Sequence, residues 1–481
     1  MAYAIRIEQQ YRKQEILEFY LNSIYLGHGT WGVAGAAGLY LGKKVSDLNV
    51  TDSALLAALA RSPEYYSPFR HPEAALRRRN LVLRQMAKRG YLSRAEAKML
   101  EKQPLARLAG PGTPYVGAYF SDYVIHFLSR ETRLSENYLR SSGLRIYTTM
   151  DRRIQAAAEN AIKQLPVAGP DRWGVLQPQG AMVVLDPKSG EILGLVGGRR
   201  YSAAEQNRAI EFHRQPGSAI KPFLYAAALE AGYRPESRFV DEPLEIDVHG
   251  EKWHPQNFDN KYRGSITLRE ALEESVNTVA VELAQRLGPG NVYALAKRMG
   301  LENLVAEGEY NDIGLAPLAL GGLTKGLTLL ELTGAYTPIA NQGIRSIPYG
   351  VLRAYDRNGK LIYHGGMRQD PVIGPATAVD LTSMMAGVIT RGTGIRANIG
   401  IPAAGKTGTT NKNTNGWFIG YTADLLAGVW IGNDQPDRPL IVNGVALGSG
   451  MAASLWGNLM RRALSTSAVL RTYWPGKGKF E

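Results

Sequence analysis

The chain has 481 residues, 44% hydrophobic and 9% aromatic, enough to bury large cores in two or three domains and incompatible with a disordered polypeptide. It has no cysteine, which excludes disulfides and thiolate metal sites, and its seven histidines form no H-E-x-x-H or similar ligand pair, so neither a zinc site nor another cofactor is expected. Its 56 Lys and Arg against 43 Asp and Glu give a net charge of +13.

Residues 1–105 are predicted to be a helical block. Arg12 to Tyr25 places Ile16, Leu17, Tyr20, Leu21 and Ile24 at helical spacing, and Gly27-His28-Gly29-Thr30-Trp31-Gly32 reads as a glycine-dense turn. A second helix spans Thr51 to Ala60 behind a Thr51-Asp52 capping signal, and a third runs from Pro72 to Arg89 and stops at Gly90. Residues 1–100 hold 15 Lys or Arg against 8 Asp or Glu, a surplus of 7. Such a face suits anionic lipid headgroups or a pyrophosphate-bearing, lipid-linked precursor as well as plain solvation. No nucleic-acid recognition module is legible, so nucleic acid is not expected as a partner. Charges appear by Arg6, too early for a signal peptide or a span, and no later run of about 18 uncharged apolar residues occurs, so no anchor is expected in this chain.

Residues 106–169 are taken as a linker region: from Ala106 to Gly143 the composition shifts to Gly, Pro and aromatic residues, including Ala109-Gly-Pro-Gly-Thr-Pro114, and reads as a linker with short ordered pieces. Within it Leu144 to Thr148 reads as a strand and Asp151 to Leu165 as a helix. A domain is expected over 170–465, followed by a tail over 466–481. It opens with a hairpin, Ala181 to Leu185 and Glu191 to Val196 around Pro187-Lys-Ser-Gly190. It closes with strands Trp417 to Thr422 and Leu425 to Ile431. Strands at both ends with helices between predict an α+β domain whose terminal segments share one sheet.

Three motifs in this domain carry the chemistry. The first is Ser218-Ala-Ile-Lys221. Pro216-Gly217 reads as a turn into a helix that is apolar on all sides from Phe223 to Ala231, hence buried, with Ser218 at its N-terminus. There unpaired N–H groups face outward and suit an oxyanion. Lys221 shares a helix face with Ser218 and serves as its base only if burial and neighbours depress its pKa. Alone, the motif reads more readily as an N-cap serine with a snorkelling lysine.

The second motif is Ser275-Val-Asn277. It falls inside a helix that starts at the capping box Thr267-Leu-Arg-Glu270, and periodicity carries that helix unbroken to Leu287-Gly288. The third is Lys406-Thr407-Gly408 in the β-branched run Gly405 to Thr410, suited to an exposed edge strand that a peptide pairs with. Gly400 to Thr407 also matches G-x-x-x-x-G-K-[ST]. Pro402 would interrupt an anion-cradling loop, however, and Gly408 with Thr-Thr-Asn-Lys-Asn-Thr-Asn is a poor start for the required helix.

The order S-x-x-K, S-x-N, K-T-G resembles the penicillin-binding proteins and serine β-lactamases. With Arg214-Gln-Pro-Gly-Ser218, Trp253-His-Pro-Gln-Asn257, Gly392-Thr-Gly394 and Trp417-Phe-Ile-Gly420, the resemblance narrows to the transpeptidase domain of class A penicillin-binding proteins. It implies an antiparallel sheet with helices on both faces and a break that presents Ser275 and Asn277 to a cleft. It also implies that Ser218 attacks a D-Ala-D-Ala stem peptide or a β-lactam, with Lys221 as base and Ser275 as proton relay. Lys406 would set the local field, Asn277 and Trp253 would bind substrate, and Thr407, Gly408 and Thr409 would hold its terminus. The N–H groups of Ser218 and Thr409 would form the oxyanion hole.

In the helical block, Glu15-Ile-Leu-Glu18-Phe-Tyr-Leu-Asn22, Ala36-Ala37 and Tyr40-Leu-Gly-Lys43 resemble the late motifs of the family's lysozyme-like glycosyltransferase domain. The early motifs, E-D-x-x-F and R-K-x-x-E, are not found, so residues 1–105 are expected to be a remnant that does not polymerise glycan and that exposes apolar surface where the core of the domain is cut. The resemblance places the intact family member at the outer face of the bacterial cytoplasmic membrane. It leaves a DD-carboxypeptidase and a non-turnover β-lactam-binding protein open as alternatives. Asn415 stands where the family has an Asp before Trp-Phe, which puts the local support of the cleft in question.

Overall fold

The computed structural model describes residues 2–28, 30–105, 117–201, 206–248 and 250–465; Gly29, the Ala109–Pro114 segment and the 466–481 tail lie outside the described residues. The N-terminal block comprises helices α1 (Ala2–Gln10), α2 (Lys13–Ser23), α3 (Val50–Leu59), α4 (Pro72–Lys88) and α5 (Arg94–Glu101). Asn49 caps α3, two residues before the expected Thr51. Its side chain accepts from the Asp52 N–H at 2.9 Å, while Asp52 accepts from the Asn49 N–H at 3.1 Å. A small core of Leu26, Ala36, Ala37, Tyr40, Leu55, Leu56, Leu59 and Ala75 holds the block together. No residue of α2 is fully buried, and Leu17, Tyr20 and Leu21 lie exposed, so the apolar face of α2 is largely uncovered.

The stretch read as a linker is not one from Ala118 onward. Helix α6 (Ala118–Thr132), strand β1 (Arg145–Thr148) and helix α7 (Arg152–Ile162) follow one another there. Tyr119, Phe120, Tyr123, Val124 and Leu128 recur at helical spacing, and with Ile154, Ala158, Ile162 and Leu165 they join the same core as residues 181–464. The aromatic content that suggested irregular chain is the buried stripe of an amphipathic helix. The core therefore extends across the expected boundary at 170.

The central sheet is antiparallel and five-stranded, built from β2 (Gln179–Leu185), β3 (Ile192–Val196), β6 (Ala404–Thr409), β7 (Asn415–Tyr421) and β8 (Leu426–Gly432) in the order β6-β7-β8-β2-β3. Strands from both ends of the domain thus share one sheet, as the α+β expectation requires. Leu426 pairs with Leu185 and Gly432 with Gln179. A separate three-stranded sheet joins β1 to β4 (Val351–Tyr355) and β5 (Leu361–His364).

Both faces of the large sheet are covered. On one, helix α13 (Ser449–Ser465) sends Trp456 to the backbone oxygens of Gly420 and Ala427, both at 3.1 Å. On the other, helix α11 (Leu329–Ala335) sits against Gly428, where an added Cβ would meet Leu329 and Thr333. Helix α8 (Lys221–Glu230), buried at every position but Glu230, forms the middle of the domain. Helices α9 (Leu268–Glu273), α10 (Asn277–Leu287) and α12 (Pro375–Thr390) complete the surroundings of the site.

Candidate active site

Ser218 lies in a tight 3-10 turn, Gly217–Ile220, that feeds directly into α8. The turn presses against the last residues of β6, and glycine permits the approach. Gly217 has φ +53, and a Cβ there would stand 2.3 Å from the Thr409 oxygen; a Cβ on Gly408 would stand 2.3 Å from the Pro216 oxygen. Gly321, with φ +76, closes the other side against the Gly217 oxygen. Trp417 Nε1 donates to the Gln215 oxygen at 2.8 Å, and the Tyr336 hydroxyl donates to the Ala219 oxygen at 2.5 Å. Ser218 itself is half-buried, and among the described residues its hydroxyl takes no hydrogen bond.

The helix that periodicity carries unbroken to Leu287 is interrupted at the second motif. Its capping box is present, with the Glu270 N–H on Thr267 at 3.2 Å and the Thr267 N–H on Glu270 at 2.7 Å. After α9 the chain reaches Ser275 at φ +60, a left-handed conformation that costs a serine free energy, and α10 restarts at Asn277. A second segment stabilises this break. Asn257 accepts from the Asn277 N–H at 2.8 Å and donates to buried Asp241 at 2.7 Å, while the Thr278 hydroxyl donates to the same Asp241 oxygen at 2.5 Å. Side-chain spacing in α9 and α10 continues across the break, which is why periodicity missed it.

Ser275 is where the two lysines meet. Lys221 Nζ, fully buried, donates to the Ser275 oxygen at 2.6 Å, to Asn277 Oδ1 at 2.8 Å and to the Val276 oxygen at 3.1 Å, and lies 3.4 Å from Ser275 Oγ. Lys406 Nζ approaches the same hydroxyl from β6 at 3.0 Å. The structure gathers both amines on Ser275, because the left-handed turn aims its hydroxyl between them. Burial pushes Lys221 well below the ordinary lysine range, with the neighbouring Lys406 charge adding to the effect, and burial alone pushes Lys406 down to about 7.

The third motif occupies the outermost strand of the sheet, with Lys406 opposite Ile419 and Gly408 opposite Trp417. It is an edge strand as expected but not an exposed one. Residues 404–408 are buried beneath α12 and the Ser218 turn. The strand geometry also leaves no helix after Lys406, so the phosphate-loop reading fails on structure as it did on composition. Thr407 Oγ1 lies 2.7 Å from Thr393 Oγ1, and Thr409 donates to Ser449 at 2.8 Å. Gly408 provides the close approach to Pro216 described above.

Trp253 ends a short hairpin strand, half-buried against the core, and makes no hydrogen bond with the lysines or Ser275 among the described residues. Asn415 fills its departure from the family pattern without a charge, accepting from Trp430 Nε1 at 3.0 Å and donating to Thr414 at 3.1 Å.

Sequence reasoning missed a supporting set. Glu273 is buried, pairs with Arg391 at 2.8 Å, and accepts the Thr393 N–H on its backbone oxygen at 3.2 Å. That links the end of α9 through Thr393 to Thr407. Gly387 and Gly392 lie against Glu273 with no room for a Cβ. Asn257 had a signal, since it ends a quoted motif; Asp241 and Gly321 had none.

The arrangement offers a half-buried alcohol at the entry to a buried helix, beside a hydroxyl shared by two amines of depressed basicity. Such a set suits nucleophilic acyl transfer. Comparison with known proteins agrees. A family model described as the penicillin binding protein transpeptidase domain matches residues 180–433, and a transglycosylase model matches residues 1–87. The chain is 34% identical to penicillin-binding protein 2D of Bacillus subtilis, over 96% of this chain and 66% of that one. It is 32% identical to penicillin-binding protein 1A of Aquifex aeolicus, over 95% and 72%. Among solved structures, penicillin-binding protein 1A from Haemophilus influenzae superposes with a TM-score of 0.70 at 25% identity, covering 97% of this chain and 88% of that chain. PonA1 from Mycobacterium tuberculosis, in complex with penicillin V, gives 0.63 at 28% identity, covering 73% and 94%. The chain thus spans about two thirds of the length of the curated relatives it matches.

Proposed function

The chain belongs to the class A penicillin-binding proteins, with a partial transglycosylase region ahead of a transpeptidase domain, and on that premise we propose that it cross-links peptidoglycan stem peptides through a Ser218 acyl-enzyme. The observation that carries the reading is Ser275 Oγ standing between Lys221 and Lys406 beside the Ser218 turn. Neutral Lys221 takes the Ser218 proton as Oγ attacks the carbonyl of the penultimate D-Ala. The C–N bond to the terminal D-Ala then breaks, and Ser275 passes a proton to the leaving amine. The N–H groups of Ser218 and Thr409 receive the oxyanion, and a donor of that kind is worth roughly 3 kcal/mol. Lys406 sets the local field, and Thr407 and Thr409 hold the substrate carboxylate beside Gly408, with Asn277 and Trp253 along the peptide. An amine of a second stem peptide takes the acyl group and frees Ser218. β-Lactams enter the same step as suicide substrates.

Fluorescent penicillin should label the protein and fail to label Ser218→Ala; labelling that survives the substitution refutes the serine assignment. A stem-peptide donor with an amine acceptor should yield the cross-linked product. Hydrolysed peptide alone would make the protein a carboxypeptidase, and acylation without either product a β-lactam-binding protein that does not turn over.

We further propose that the 481-residue polypeptide does not polymerise glycan by itself, since neither E-D-x-x-F nor R-K-x-x-E occurs in it. Glycan polymer made by the purified chain from a lipid-linked disaccharide would overturn this. Residues 1–105 act in this reading as the remaining part of that domain, with its basic surface toward anionic lipid. Among the described residues no helix is long and apolar enough to cross a membrane.

A further inference from the structure

The small sheet β1-β4-β5 contributes nothing to the Ser218 cleft, yet one of its faces frames a cavity of about 700 Å³. Antiparallel register sets Arg145 opposite Tyr355, Tyr147 opposite Arg353, and Arg353 opposite His364. Period-two alternation therefore puts all five side chains on one face, and all five line the cavity.

Its chemistry is one-sided. No carboxylate lines the cavity. The guanidinium groups of Arg145 and Arg353 make no ion pair or hydrogen bond among the described residues. The acid nearest in sequence, Asp356, is engaged with its own turn, accepting from the N–H groups of Asn358 at 2.9 Å and Lys360 at 2.8 Å. Between the two guanidiniums Tyr147 and Tyr355 meet edge to face, with centroids 6.0 Å apart and planes at 88°.

Guanidinium groups bind carboxylates and phosphates in a bidentate fork, and phenol rings stack on the C–H faces of sugars. A cation is repelled here and an apolar ligand leaves both arginines unmatched. The volume is that of an ordinary ligand site. Location adds a second constraint. The β4–β5 turn carries Arg357, whose guanidinium lies 5.3 Å from the ring centroid of Phe19 on α2, so this sheet reaches the N-terminal block.

We propose that this cavity binds an acidic saccharide, namely a glycan segment bearing stem-peptide carboxylates. Arg145 and Arg353 hold its acid groups, Tyr147 and Tyr355 its ring faces, and His364 adds a hydrogen bond. The choice of a peptide-bearing glycan rests on the transpeptidase reading; the preference for an acidic saccharide rests on the cavity alone.

The test uses the full chain, with Ser218 acylated by penicillin to close the catalytic cleft, titrated calorimetrically with a soluble disaccharide-tetrapeptide. Saturable binding is expected, weakened at least about tenfold by Arg145→Gln/Arg353→Gln and comparably when the ligand carboxylates are amidated. Tyr147→Ala should weaken it several-fold without changing the dependence on ligand charge. Equal binding by the double variant, or by the amidated ligand, overturns the proposal, and so does a glycerol-phosphate oligomer that binds more tightly than the disaccharide-peptide. Should the double variant fold poorly, Arg145→Lys and Arg353→Lys keep the charge but lose the fork, and unchanged affinity in both overturns it equally. Penicillin labelling of the wild type reads the transpeptidase assignment on its own. If labelling fails, ligand held by an open Ser218 cleft would persist in the arginine variants, so the two failures are distinguishable.

Discussion

Asn257 holds the break that creates the site, and replacing it should cost both stability and acylation. The side chain is 4% exposed and makes four hydrogen bonds, two accepted from the Asn277 and Thr278 N–H groups and two donated to Asp241 and the Lys261 oxygen. In Asn257→Ala the α10 N-terminus loses its cap, worth about 1 kcal/mol. Buried Asp241 loses a donor, worth about 1.5–3 kcal/mol at a charged acceptor. The lower end applies, because Asp241 keeps the Thr278 hydroxyl and the Arg263 N–H. Lys261 is exposed, so water replaces its lost partner at little cost. The total, about 2.5 kcal/mol, lowers the thermal midpoint by roughly 5 °C in a domain of this size. Asn277 also positions Lys221, so penicillin acylation should slow at least about tenfold. Calorimetry and stopped-flow acylation measure the two effects. Asn257→Asp separates the two halves of the account, since it keeps the acceptor for Asn277 but sets a carboxylate against Asp241, and it should be no more stable than the alanine variant. Full recovery by aspartate would remove Asp241 from the explanation, and a wild-type midpoint and acylation rate in Asn257→Ala would refute it altogether.

Lys406, lowered from the ordinary 10.5 to about 7, is charged in both folded and unfolded chains below pH 7 and neutral in both above about 10.5. Its burial cost is therefore relieved as pH rises across that window. Urea unfolding should show a stabilising slope from pH 7 to 9 that Lys406→Met reduces without abolishing, since Lys221 is lowered as well; an unchanged slope would contradict the assignment. Acylation should likewise rise with pH through the titration of the lysine pair. Gly217→Ala forces a Cβ to within 2.3 Å of the Thr409 oxygen at positive φ, and should reduce penicillin labelling more than a hundredfold while far-ultraviolet circular dichroism stays native; normal labelling would mean that the turn and β6 move apart freely. Asn415→Asp keeps the acceptor for Trp430, so its midpoint and acylation should match the wild type, whereas Asn415→Leu strands the indole N–H and should cost about 1–3 kcal/mol by chemical denaturation.

Local signals were strongest where one segment decides its own structure. The hairpin β2–β3, the capping box at Thr267, the buried helix after Ser218 and the sharing of one sheet by both ends of the domain followed from spacing and turn chemistry. So did the three motifs, because reactive residue types at short spacing are visible without a fold. The failures lie where distant segments act on local ones. The aromatic stripe of α6 passed for linker because its partner surface, the sheet, is far along the chain. The break at Ser275 passed for helix because Asn257, Asp241 and Lys221, all from other segments, satisfy the groups it exposes.

The sequence by itself determined the inventory of the site: a serine and a lysine in one motif, a second serine in another, and a second lysine in a glycine-flanked edge strand. Only the tertiary structure decided that both amines meet at Ser275, that β6 is covered rather than open, and that the lysines titrate far below their ordinary range. Burial and a shared acceptor are properties of packing, and packing depends on segments more than a hundred residues apart.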